Sequence, residues 1–185
     1  MDLTTMIGIL GGIILVCGAA YPDRPNVRPL TSIKDWLFAL GGLAMLVYSI
    51  MNYLAGGSVF FVFLQGLVNL SSVFMMLETD DRIDTPVMIV ATLALIAWSL
   101  WLIPGINTVI FILGLSGIGI GYCSTGGTIR RNMALLLGSA LVAFFSFIEG
   151  NMIFFWLNVF FAGFSLVQVV KMASNYRFVE NVAEK

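Results

Sequence analysis

Seven apolar runs, each near the length of a membrane-crossing helix, alternate with short polar or glycine-containing breaks along the chain. A spanning helix needs about 20 apolar residues. The runs predict helices over Leu3–Ala20, Trp36–Leu54, Ser58–Leu77, Thr85–Ile103, Ile106–Tyr122, Asn132–Ile148 and Asn151–Met172. The breaks have recognisable chemistry. Pro22, Pro25 and Pro29 punctuate the first loop, Ala55-Gly-Gly57 separates the second run from the third, and Glu78–Asp84 is a charged loop. Thr85 is the expected N-cap of the fourth helix, with Pro86 at its first position and Pro104-Gly105 at its end.

The third and seventh runs echo one another. Sliding Phe60–Leu77 onto Ile153–Val170 pairs Leu64 with Leu157, Gln65 with Asn158, and Ser72 with Ser165. The first and fifth runs share Ile9-Leu-Gly11 and Ile112-Leu-Gly114. The second and sixth share Leu40-Gly41 and Leu137-Gly138, then Tyr48-Ser49 and Phe145-Ser146. Three matches in the same order predict two three-helix repeats joined by a connector helix. An odd connector inserts both triplets in the same direction, so the repeats are parallel about an axis along the membrane normal. The expected organisation is residues 1–77 for the first repeat, 78–104 for the charged loop and connector, 105–172 for the second repeat, and 173–185 for a cytoplasmic tail.

Composition reinforces the pattern. Of the 185 residues 59% are hydrophobic and 10% charged, with a mean hydropathy of +1.00. A soluble domain of this length cannot bury so much apolar surface. The expected fold class is therefore an all-α membrane protein of seven transmembrane helices. The nine Lys and Arg residues fall in or beside the loops after the first, third, fifth and seventh helices, and the opposite side carries only Asp2 and Glu149. The positive-inside rule then places the N-terminus outside and the C-terminus in the cytoplasm. Met1–Ala20 has Asp2 and no basic n-region, unlike a cleaved signal peptide.

This plan resembles the SWEET and PQ-loop carriers and their relatives, the Pnu-type carriers of nicotinamide riboside and similar nucleoside-like vitamins. The resemblance covers nearly the whole chain and lies in the architecture. The proline-glutamine signature of the PQ-loop group has no counterpart here. Trp98-Ser-Leu-Trp101 has the spelling of the Pnu Trp-x-x-Trp motif, but it lies on the connector near the outer membrane edge, where interfacial tryptophan is expected. The resemblance implies facilitated movement of a small solute by alternating access.

The polar residues inside the apolar runs are the candidate chemistry, because such groups are costly in a membrane unless they pair or face a cavity. Gln65, Asn69 and Ser72 recur at i, i+4 and i+7 on one face of the third helix, with Phe61 extending the stripe. Asn158 and Ser165 share a face of the seventh with Phe154 and Phe161, and Gln168 continues it. Amides supply donors and acceptors, and aromatic rings supply flat stacking surfaces. Together the eight predict a substrate site for a neutral polar solute such as a nucleoside-like vitamin or a sugar. The opposing explanation is interhelical glue.

No charged residue stands in the middle of a run, which favours passive movement of an uncharged solute. Glu149 and Asn52 are candidates for an outer vestibule. Glycines spaced four apart, Gly8 with Gly12 and Gly117 with Gly121, predict close helix packing. The chain has no histidine, and no nucleophile–base set or metal-ligand spacing can be assembled, so neither an enzyme nor a cofactor is expected. The expected partners are a small-molecule solute and the lipid bilayer, with no nucleic acid; a homo-oligomer is left open. The alternative function is a non-transporting membrane subunit or scaffold of a larger complex.

Overall fold

A computed structural model describes residues 2–21, 29–102, 105–125 and 127–183, and their side chains apart from those of 29, 81 and 175–183. Seven α-helices make up the described chain: α1 (Leu3–Ala20), α2 (Ile33–Leu54), α3 (Phe60–Leu77), α4 (Asp81–Leu102), α5 (Ile106–Cys123), α6 (Ile129–Ile148) and α7 (Met152–Ala183). Each contains a stretch long and apolar enough to cross a bilayer. The chain is an all-α integral membrane protein. Pro22, Pro25, Arg24, Arg28, Pro104 and Lys185 lie outside the described residues.

Local chemistry sets the helix starts. Asp2 Oδ1 accepts from the Thr5 N–H at 3.3 Å, Ser32 Oγ from Asp35 N–H at 3.3 Å, and Thr128 Oγ1 from Arg131 N–H at 3.2 Å. Each side chain satisfies a donor the first turn leaves unpaired. The fourth helix departs from expectation. Its cap is Asp80, not Thr85: Asp80 O accepts from Ile83 N–H at 2.7 Å and Asp84 N–H at 3.1 Å, and its Oδ1 accepts from Arg82 N–H at 3.0 Å. Aspartate caps at least as well as threonine, and the charged loop is itself able to wind. Pro86 therefore lies inside α4, where it withholds a donor from the Arg82 carbonyl. The seventh helix also continues past Met172, to Ala183.

Six helices close a ring in the order α1, α2, α3, α5, α6, α7, with α7 returning to α1, while α4 packs outside against α3 and α5. The most extensive pairings in the ring are α6 on α7, α1 on α2 and α5 on α6, and the last two are glycine seams. In hydrocarbon, helices associate through close packing, and glycine permits the closest approach. A Cβ added at Gly41 would lie 2.7 Å from Leu15 N, and one at Gly138 would lie 2.6 Å from Ile118 N. One at Gly11 would meet Met45 N at 3.1 Å, and one at Gly114 would meet Val142 N at 3.1 Å. The seam in α1 does not run through Gly12, whose added Cβ meets only Met45 S at 4.0 Å. Both seams are antiparallel, because later positions in one helix meet earlier positions in the other.

Candidate functional site

While Gln168 at the end of the α7 stripe is exposed, Gln65 and Ser72 of the α3 stripe and Asn158 and Ser165 of the α7 stripe turn toward the middle of the ring. There they line a cavity of about 430 Å³, within the range of small-molecule sites. It extends along α3 from Leu64 to Met75, about 16 Å at the helical rise, and reaches the bundle end where α2 and α6 begin. All six ring helices contribute to the wall, and none of its residues comes from α4.

Five of the eight predicted residues meet in this wall: Gln65, Ser72, Asn158, Phe161 and Ser165. Asn158 is buried, and its Nδ2 donates to Phe154 O on its own helix at 2.8 Å. Ser72 Oγ donates to Val68 O at 3.0 Å. Phe161 packs against Phe38 at a ring separation of 6.2 Å and so links α7 to α2. Gln65 is only 2% exposed, and its Oε1 has no hydrogen-bond partner among the described residues. An unpaired buried acceptor costs on the order of 1–3 kcal/mol. Such an orphan in a cavity wall marks a place where a bound donor would recover that cost.

The other three lie elsewhere. Asn69 turns to the neighbouring helix: its Nδ2 donates to Gly42 O at 3.0 Å and to Gln65 O at 2.8 Å. Gly42 has no side chain, so α2 brings its backbone within reach of the amide. Phe61 and Phe154 stack on each other, 4.4 Å apart and 11° from parallel. Tyr48 packs on Phe154 at 5.7 Å, and Phe145 packs on Phe61 at 5.6 Å. These four rings form a layer next to the deep end of the cavity. The Tyr48 hydroxyl donates to Asn151 Oδ1 at 3.0 Å, tying the layer to the start of α7. At the opposite end of the bundle a depression of about 720 Å³ is lined by Glu149, Phe60, Trp98 and Thr108 among others, without Asn52. Trp98 packs on Phe63 at 5.0 Å, and Trp101 is 81% exposed. Neither tryptophan reaches the central cavity.

The wall also holds side chains that periodicity did not single out: Lys34, Asp35, Tyr122, Arg131 and Ser139. Lys34 and Arg131 each stand six residues before the matched Leu40-Gly41 and Leu137-Gly138 pairs. That register was the one available signal. Carried along the chain, the three alignments account for most of the wall. Leu15 matches Ile118, Ala19 matches Tyr122, Lys34 matches Arg131, and Phe38 matches Leu135. On α3 and α7, Leu64 matches Leu157, Gln65 matches Asn158, Val68 matches Phe161, Ser71 matches Phe164, and Ser72 matches Ser165. Both members of all nine pairs line the cavity, leaving Asp35, Met75 and Ser139 without a lining counterpart.

Among the described residues no three metal-ligating side chains come together. Comparison with protein-family models, curated proteins and solved structures finds no match, so the functional reading rests on this chain's own residues.

Proposed function

We propose that the protein is a membrane carrier that moves a small polar solute through the central cavity by alternating access. In this reading the two triplets, α1–α3 and α5–α7, are parallel repeats that rock about a shared axis, with α4 as connector, the plan of the SWEET and Pnu-type carriers. The observation that carries the proposal is the pairing of the wall. A cavity made of matched positions from two halves lies on the axis relating them, where a carrier needs its site to be reachable from either side. The stacked rings support it independently: Phe61 and Phe154 are themselves a matched pair, as are Tyr48 and Phe145. The cavity then faces the basic end, assigned to the cytoplasm by its Lys and Arg residues, and the ring layer closes the other side.

Uptake into proteoliposomes tests the proposal, with a panel of sugars, nucleosides, vitamins and their phosphorylated forms. Gln65→Leu and Asn158→Leu are each expected to reduce uptake at least about tenfold, the scale of losing one well-placed polar contact. If neither variant changes uptake, these amides are not the site. If no solute accumulates, the carrier reading itself is wrong.

A further inference from the structure

We propose that the solute carries an anionic group, received by Lys34 and Arg131 where the cavity meets the basic end of the bundle. This rests on the carrier reading and specifies its substrate class. The absence of charge in the middle of the helices favours a neutral solute only if the site is confined to the membrane centre. The cavity is not so confined. Its wall contains two cations and one carboxylate, Asp35, among the described residues. The two cations occupy matched positions in the first turns of α2 and α6. Helix N-termini carry partial positive charge, so both first turns add to the field of the side chains. Tyr122, Ser71 and Ser139 supply polar side chains along the wall between this end and the amides.

The deep end asks for the opposite chemistry. Gln65 Oε1 is a buried acceptor with no donor among the described residues, on a side chain that lines the cavity, so a group that turns this amide toward itself must present an N–H or O–H. A solute that satisfies both ends has an anionic head and a hydroxyl- or amide-bearing body, spread over a cavity about 16 Å long. A phosphate monoester or carboxylate of a sugar or nucleoside has this form. A plain hydrocarbon anion lacks the donor, and a free sugar lacks the head. Arginine also binds oxyanions in paired hydrogen bonds that a neutral hydroxyl cannot fully use.

The test uses matched probes: glucose with glucose 6-phosphate, uridine with uridine 5′-monophosphate, and inorganic phosphate alone. Binding is read as a rise in the melting temperature of purified protein in phosphatidylcholine nanodiscs. The phosphorylated member of a pair is expected to bind at least about tenfold more tightly than its neutral twin. Its advantage should shrink when salt rises from about 50 to about 500 mM. Arg131→Gln should remove the advantage, and Arg131→Lys should keep most of it. The salt series on the unaltered protein keeps the test decisive if Arg131→Gln fails to fold. Equal binding of the twins, or an advantage untouched by Arg131→Gln, overturns the anion. If neutral probes are nevertheless taken up in a Gln65-dependent way, the carrier reading stands and only this inference falls. If no probe binds or moves, both fall. A shift produced by phosphatidylglycerol alone, and by no soluble anion, assigns the anion to a lipid headgroup and overturns the solute.

Discussion

Alanine at Gly138 tests the packing that builds the cavity. The added Cβ would lie 2.6 Å from Ile118 N and 2.8 Å from Gly114 O. Both are backbone atoms and cannot swing aside. An ordinary contact needs about 3.5 Å, so α5 and α6 must part by about 1 Å locally. A gap of that size forfeits a quarter to a half of each contact's attraction along the seam. Overpacking of this kind costs about 1–3 kcal/mol, against which alanine returns up to about 1 kcal/mol of helix propensity. The net expectation is a loss of about 1–2 kcal/mol. Gly41→Ala, with its Cβ 2.7 Å from Leu15 N, should cost nearly the same. Gly12→Ala meets only Met45 S at 4.0 Å, and should be neutral or slightly stabilising. Reversible unfolding in mixed bicelles measures all three. A Gly138→Ala protein as stable as Gly12→Ala refutes the close-approach argument. Values for Gly41→Ala and Gly138→Ala differing by more than about 1 kcal/mol refute the idea that the seams are mechanically equivalent.

Three further outcomes follow from the same geometry. With Cys17 and Cys123 replaced by alanine, a cysteine at Ser72 should react with an impermeant maleimide applied at the basic end only; adding Phe61→Ala should open the ring layer and admit reagent from the other side. Asn69→Leu should cost about 1 kcal/mol, by removing the hydrogen bond that ties α3 to the Gly42 carbonyl of α2, while solute affinity stays within about twofold, since Asn69 bonds to α2 and does not line the cavity. Hydrogen bonds from Thr5, through its side chain and then its backbone, hold the Asp2 carboxyl below its ordinary value. The Asp2 contribution to the start of α1 should therefore be present above about pH 4, and fade as pH falls through the lowered value. Protection of the first-turn amides, taken relative to the intrinsic exchange rate at each pH, should fall there, and Asp2→Asn should remove that pH dependence.

That Gln65, Ser72, Asn158 and Ser165 face a common space was legible in the sequence, because residues three, four and seven apart share a helix face. Phe61 and Phe154 show where that legibility stops. They lie on the same helix faces as the amides, and periodicity alone cannot separate them. One helical turn further along, they meet each other and seal the space that the amides line. Asn69 fails for another reason. Its face is right, but an amide takes the nearest acceptor, and Gly42 brings one close. Lys34 and Arg131 read as loop-edge charges until the first turns of α2 and α6 are seen to converge on the cavity.

Run length and apolarity determined the seven crossings and their order, because a helix in hydrocarbon must satisfy its backbone internally and needs only enough apolar residues to span. The angular pattern determined which polar residues share a face, since that depends on 3.6 residues per turn and nothing more distant. Tertiary structure alone decided which members of a face line the cavity, which stack into a seal and which hold two helices together. Those outcomes depend on depth along the bundle and on the atom opposite, and both are set by the glycine seams that bring distant parts of the chain together.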